Sequence, residues 1–131
     1  MQRSLLVIIL LLMLQACQPL QQNYDSELLL YGTTTEQLTI SPANVPVESL
    51  LRLDFQTVDT VVAITGEIIG VSMYMGRIPL HFSELNATHW RAELLLGACS
   101  DPAMEWRIIV TVQYASGKEQ LLSETFRSSW G

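Results

Sequence analysis

The sequence predicts an all-β fold, a single immunoglobulin-like antiparallel β-sandwich of seven or eight strands. The strongest observation is an alternation of period two, which places aromatic and β-branched side chains on one face of an extended chain at Trp106, Ile108, Val110, Val112 and Tyr114. No window of about 12 or more residues in the body of the chain keeps the helical period of roughly 3.6 residues. Clusters of turn formers instead separate short apolar segments.

Candidate strands follow one another along most of the chain. They are 28–31, 36–40, 49–55, 61–66, 68–73, 78–82, 90–96, 106–114 and 120–126. Turn formers occupy 32–35, 41–44 and 83–88, and the segment 115–118 predicts a hairpin between the last two strands. The alternation also predicts the core residues, which are Leu53, Phe55, Val62, Ile64, Leu94, Leu96, Trp106, Ile108, Val110 and Val112.

The first residues have the pattern of an export signal. Arg3 precedes the apolar run 5–14, which is too short for a membrane-spanning helix of roughly 20 residues and fits a secretory apolar segment of about 7–15. The run ends in Leu14-Gln15-Ala16-Cys17, which resembles the lipobox of bacterial lipoproteins. The resemblance implies that residues 1–16 are a signal peptide, that cleavage follows Ala16, and that Cys17 is lipidated and holds the chain on a membrane.

The lipoprotein resemblance also implies a location in the cell envelope. Retention in the inner membrane is signalled by an aspartate after the acylated cysteine, and this chain has Gln18 there. We therefore expect the outer membrane, facing the periplasm, if the cell is Gram-negative. The polar segment 17–26 is then the lipidated cysteine and its tether, and 27–131 is one sandwich domain.

The charge of the mature chain excludes one class of partner. Removal of residues 1–16 leaves 115 residues. It also removes Arg3, one of the seven basic residues, so the mature chain has six basic and 13 acidic residues and a net charge of −7. Nucleic acids favour clusters of Lys and Arg, which are missing. Catalytic signatures such as a nucleophile elbow, a phosphate-binding glycine loop or a zinc-protease motif are missing too, so we expect a protein that is not an enzyme.

Soft sulfur ligands are the one pattern that points to chemistry. Lipidation of Cys17 leaves Cys99 as the remaining thiol, either buried, metal-bound or paired with another molecule. Met73 and Met75 project from the same face of an extended segment, and Met104 lies five residues after Cys99. If the two segments are neighbours, these four residues form a site for Cu(I), which prefers thioether and thiolate sulfur.

A second resemblance supports copper. Four motifs follow one another in an order similar to that of small exported sandwiches of the YtkA-like and FixH-like type. They are Met73-Tyr74-Met75-Gly76-Arg77-Ile78-Pro79-Leu80, Trp90-Arg91-Ala92, Leu96-Gly97-Ala98-Cys99 and Met104-Glu105-Trp106. The resemblance spans roughly residues 46–114 and implies a role in copper handling, with a cytochrome oxidase assembly protein or another envelope protein as partner. Met73, Met75 and the turn Gly76–Pro79 are the positions that correspond.

The same residues fit a second hypothesis without metal. Methionine fills gaps in protein cores, and a free cysteine often behaves as a small buried apolar residue. The chain would then be a structural or protein-interaction sandwich of the envelope, docking partners through its loops or strand edges. His81 and His89 each lie beside an aromatic residue near a turn, and we expect neither to bind the metal.

Overall fold

Nine antiparallel strands form two sheets of a β-sandwich, in a computed structural model that describes Met1 and residues 22–131. The strands are β1 Leu28–Gly32, β2 Glu36–Ser41, β3 Leu51–Thr57, β4 Val61–Gly70, β5 Arg77–His81, β6 Ser83–Asn86, β7 His89–Leu94, β8 Glu105–Tyr114 and β9 Glu119–Arg127. The prediction of an all-β sandwich is confirmed, with nine strands instead of seven or eight. The signal peptide after Met1 and the lipidation site Cys17 lie outside the described residues.

The order of strands requires the chain to change sheets three times. One sheet has the order β1-β2-β3-β7-β6 and the other has the order β5-β4-β8-β9. The connections β3 to β4, β5 to β6 and β7 to β8 therefore cross between the sheets. Every strand pair is antiparallel, so the hydrogen bonds between neighbours hold each strand in a single register with one side toward the core.

The core lies between the two sheets and contains nine of the ten residues that the sequence predicts for it. Val62 is the exception, because its side chain is 56% exposed while that of Val61 is 3% exposed. The register between β4 and β8 shifts between Val61 and Ala63, as at a β-bulge. A bulge inserts one residue into one strand and so moves the alternation by one position, which turns Val62 outward.

Two segments differ from the strand prediction. The predicted strands 61–66 and 68–73 are joined in one strand, β4, because Gly66 continues the ladder with β8. Gly66 also leaves room for the Ile109 carbonyl oxygen, which would be 2.8 Å from a Cβ atom at this position. The prediction that 83–88 is a turn is wrong for its first four residues, since Ser83–Asn86 forms the edge strand β6 beside β7. The described residues contain no helix long and apolar enough to cross a membrane.

Both termini of the domain lie at one end of the sandwich. The Val47 amide donates to the Ser129 carbonyl at 2.8 Å, and the Glu48 amide donates to the Leu96 carbonyl at 2.8 Å. The Ala43 amide donates to Ser26 Oγ at 3.1 Å, which brings the first described residues to the same loops. We call this end the tether end. It comprises 22–27 and 128–131 with the loops 42–50, 71–76 and 95–104.

The opposite end of the sandwich is formed by four short turns. They are 33–35, 58–60, 87–88 and 115–118, and we call them the far end. The Val58 amide donates to the Thr35 carbonyl at 3.1 Å, and the Ala115 amide donates to the Thr60 carbonyl at 2.9 Å. The methionine and cysteine loops 71–76 and 95–104 thus lie away from these turns, at the tether end.

Candidate functional site

Two of the four predicted ligands are in direct contact. Cys99 Sγ lies 3.2 Å from Met104 Sδ, and it lies 3.3 Å from the Asp101 carbonyl oxygen, to which the thiol donates a hydrogen bond. Asp101 Oδ1 accepts the Ala103 amide at 2.9 Å, which tightens the turn between the two sulfur residues. Met104 is fully buried and Cys99 is half-buried, so the thiol is at the boundary between core and solvent.

Met104 reaches the core because it precedes β8 on the inward face of that strand. Trp106 has the same face, is fully buried, and donates its indole N–H to Ser128 Oγ at 2.9 Å. Met104 is two residues before Trp106, and side chains two apart along a strand lie on the same face. The Met104 thioether therefore points between the sheets. The Met104 carbonyl accepts the Ser128 amide at 3.0 Å, which ties the loop to the end of β9.

Met75 lies beside the same loop. A Cβ atom placed on Gly97 would stand 3.6 Å from Met75 Cε, so the end of the Met75 side chain lies close to the backbone two residues before Cys99. A Cβ atom placed on Gly70 would stand 2.6 Å from Met104 Cε and 3.4 Å from the Met75 backbone nitrogen. Gly70 and Gly97 thus leave the space that Met75 and Met104 use, and the sequence reasoning missed both glycines.

Met73 stands at the rim of this cluster. The prediction that 68–73 is a strand is wrong for its last three residues, because β4 ends at Gly70 and residues 71–76 form a loop, so Met73 and Met75 do not lie on a common strand. This loop is held by the Val71 amide, which donates to the Glu105 carbonyl at 2.8 Å, and by Ser72 Oγ, which accepts the Glu105 amide at 2.7 Å. The Met73 side chain is 39% exposed. We call Met75, Cys99 and Met104 the sulfur cluster.

Neither histidine belongs to the sulfur cluster. His81 is exposed on β5. His89 and Asp54 are both on the other sheet, where His89 Nε2 lies 2.6 Å from Asp54 Oδ1. Arg91 Nε donates to the same carboxylate oxygen at 2.9 Å, so the Asp54 carboxylate is paired with a guanidinium. Among the residues that the structure describes, no group of three or more His, Cys, Asp or Glu side chains has the placement of a metal site.

A buried polar contact joins the two sheets. The Tyr114 hydroxyl of β8 donates to Glu36 Oε1 of β2 at 2.6 Å, and Lys118 Nζ lies 3.9 Å from the same oxygen. Burial, with the hydrogen bond to Glu36 and the negative charge of Glu36, raises the pKa of Tyr114 far above its ordinary value. The sequence signal for this contact is an acidic residue, Glu36, at an inward position of a strand.

These features define a two-sheet antiparallel β-sandwich with a sulfur cluster at one end. The chain is similar in structure to a DUF4426 family protein from Pseudomonas aeruginosa PAO1, known from a crystal structure, with a TM-score of 0.54 and 13% sequence identity. The similarity covers 78% of this chain and 97% of that chain. At this identity the likeness establishes the fold. No protein-family model matches the sequence, and a search of curated proteins found no match.

Proposed function

We propose that the chain is a lipid-anchored protein of the cell envelope that binds one Cu(I) ion through Cys99, Met104 and Met75. The observation that carries the proposal is the distance of 3.2 Å between Cys99 Sγ and Met104 Sδ. Two sulfur atoms that each bind one metal ion at about 2.3 Å are at most about 4.6 Å apart, so both sulfurs can share an ion with small movements of their side chains.

The chemistry of the sulfur cluster favours Cu(I) over harder ions. Thioether and thiolate ligands select Cu(I), and a thiolate with two thioethers satisfies an ion of low coordination number. Binding requires that the Cys99 thiol loses the proton it now donates to the Asp101 carbonyl. Met73 lies on the rim and is available as a fourth ligand after a rearrangement of its loop.

The lipobox at Cys17 supports the anchor, and a cytochrome oxidase assembly protein or another envelope protein is the proposed recipient of the metal.

Competition with a chromogenic Cu(I) chelator under reducing, anaerobic conditions tests the metal proposal. We expect one Cu(I) per chain and weaker binding when Met75 and Met104 are each replaced by Leu, because Leu keeps the packing at a cost below about 1.5 kcal/mol and removes the ligand. Cys99→Ser should weaken binding most, since the hydroxyl keeps a donor for the Asp101 carbonyl and has no affinity for a soft ion.

His81→Ala is the matched control for these variants. His81 is exposed on β5 and takes no part in the sulfur cluster, so its removal should leave copper affinity unchanged. A protein that takes no copper from the chelator contradicts the metal proposal. Equal affinity of the Met75→Leu, Met104→Leu and unaltered chains would also contradict it.

A second candidate is a sandwich that binds a partner protein and no metal. The observation in its favour is the complete burial of Met104, together with the packing of Met75 and Cys99 against the core, which is how methionine and cysteine fill a core. The rate at which a thiol reagent modifies Cys99 separates the two. Protection that appears only with Cu(I) supports the metal site, and a rate that Cu(I) does not change supports the interaction module.

A further inference from the structure

Half of the twelve large apolar side chains that the described residues expose stand at the tether end of the sandwich. Six of them stand on its loops and at the C-terminal segment, and we call them the apolar rim: Leu50, Val71, Met73, Tyr74, Leu95 and Trp130. Tyr74 is 90% exposed and Trp130 is 60% exposed. They are the two aromatic residues among the large apolar side chains that the described part of the chain exposes, and both lie at this end.

The N-terminal segment is held against the same end. The Tyr24 hydroxyl donates to the Leu50 carbonyl at 3.3 Å, and the Arg52 guanidinium carbon lies 3.7 Å from the centre of the Tyr24 ring. These contacts attach residues 22–26 to the domain beside Leu50, so the chain arrives at the apolar rim and not at the far end.

The length of chain before Gln22 limits how far the rim can lie from a lipid anchor. Four residues lie between Cys17 and Gln22, and the five steps from one Cα atom to the next span at most about 18 Å when the chain is fully extended. A ten-residue strand such as β8 is about 33 Å long, so the far end is nearly twice that distance beyond the rim. An acylated Cys17 thus keeps the tether end close to the bilayer.

The composition of the rim fits the surface of a phospholipid bilayer. Tyr and Trp are enriched at membrane interfaces because their rings are apolar and their O–H and N–H groups bind water and headgroups. Leu50, Val71 and Leu95 add aliphatic area that insertion among the headgroups would bury. Glu48 and Asp101 lie in the loops of the same end, and their negative charges repel anionic lipids.

We propose that the apolar rim binds the surface of the zwitterionic phospholipid membrane in which the acylated Cys17 is anchored. Trp130 and Tyr74 then lie at the depth of the headgroups. The inference rests on the lipid anchor of the proposed function and is independent of its copper site. The domain is then oriented on the membrane by two attachments, the acyl chains and the rim, with β4, β7 and β8 rising away from the bilayer. The sulfur cluster lies at the membrane-facing end.

Trp130 is a built-in reporter for this orientation. Trp90 and Trp106 are 8% and 0% exposed, so a quencher in the membrane acts on Trp130 alone. The full lipidated chain is reconstituted into phosphatidylcholine vesicles whose acyl chains are brominated near the carbonyl end. We expect the bromine atoms to quench most of the Trp130 fluorescence. Trp130→Phe should show no quenching. Tyr74→Ser should reduce the quenching of Trp130, and so should a mixture with anionic phosphatidylglycerol.

The matched control moves the reporter to the far end. Val58 is 67% exposed in a far-end turn, and Val58→Trp in the Trp130→Phe background places one exposed tryptophan there. We expect no quenching at this site. An acylated, vesicle-bound chain whose Trp130 keeps its emission overturns the orientation alone, as does equal quenching at both sites. A chain that carries no acyl group, as measured by mass, overturns the anchor and the orientation together.

Discussion

Tyr114 and Glu36 are two residues whose buried contact holds β8 against β2 across the sandwich. Both side chains are nearly inaccessible to solvent, and their oxygen atoms are 2.6 Å apart. The proton on Tyr114 makes this contact a hydrogen bond. The pKa of Tyr114 is raised first because burial disfavours the charged phenolate, and also because loss of the proton would break the hydrogen bond and place a second negative charge beside Glu36.

The raised pKa of Tyr114 predicts a loss of stability at alkaline pH. In the unfolded chain a tyrosine loses its proton near pH 10, whereas the folded chain keeps the proton of Tyr114 to higher pH. Above about pH 10 the folded state therefore binds more protons than the unfolded state, and the free energy of unfolding falls as pH rises. Tyr114→Phe should be destabilised at neutral pH by about 1–3 kcal/mol, because the buried Glu36 carboxylate loses its hydrogen bond, and its free energy of unfolding should fall less steeply above pH 10.

Urea unfolding at neutral and alkaline pH measures both effects of Tyr114→Phe. Tyr74→Phe is the control, since Tyr74 is 90% exposed and its removal should leave the pH dependence unchanged. Identical alkaline slopes for the unaltered chain and Tyr114→Phe would show that Tyr114 does not govern this loss of stability.

Gly70 is the residue whose missing side chain admits the sulfur cluster. A Cβ atom at Gly70 would collide with the Met73 carbonyl and stand 2.6 Å from Met104 Cε. We expect Gly70→Ala to cost about 1–3 kcal/mol, as overpacking does, and to lower copper affinity by moving Met73 and Met104. Thermal unfolding and chelator competition measure the two losses. Gly32→Ala should cost less, because the nearest atom there is the flexible end of Leu29 at 3.0 Å, and a larger cost at Gly32 would contradict this account.

At the scale of elements, the bulge in β4 decides which of two adjacent valines enters the core. Val61→Asp places an unpaired charge at a site that is 3% exposed, which costs several kcal/mol and unfolds a domain of ordinary stability, about 5–15 kcal/mol. Val62→Asp changes a side chain that is 56% exposed and should shift stability by about 0.5 kcal/mol or less. Far-UV circular dichroism with urea titration compares them. Equal tolerance of both substitutions, or the reverse order, would mean that the bulge is absent in solution.

Strand β8 is the element for which sequence and structure agree best. Trp106, Ile108, Val110, Val112 and Tyr114 are all buried, and the strand is central to its sheet, with β4 on one side and β9 on the other. A long strand in the middle of a sheet has neighbours on both edges, so its two faces differ sharply in burial and its alternation is regular. Edge strand β6 has four exposed residues, and its sequence carries no such alternation.

At the scale of the whole molecule, the lipidation that we propose at Cys17 would determine where the sandwich is found. Cys17→Ser removes the thiol that the acyl transfer requires, so we expect no incorporation of labelled fatty acid and a chain that is either uncleaved or released from the membrane. Fractionation of cells grown with labelled palmitate measures both results. Cys99→Ser is the control, because it removes the other thiol and should leave labelling unchanged. Label retained in Cys17→Ser would contradict the lipoprotein prediction.

The sequence alone determined the all-β class, most of the strand positions and nine of the ten predicted core residues, because alternation within a strand is local and is read from neighbouring residues. Tertiary structure decided the rest. The outward turn of Val62 depends on pairing with β8, and the contact of Cys99 with Met104 depends on a turn held by Asp101. The approach of Met75 depends on space at Gly70 and Gly97. The N-terminal segment, the sulfur cluster and the apolar rim lie at the same end of the sandwich. Their common position follows from the order of strands in the two sheets, which no local sequence pattern encodes.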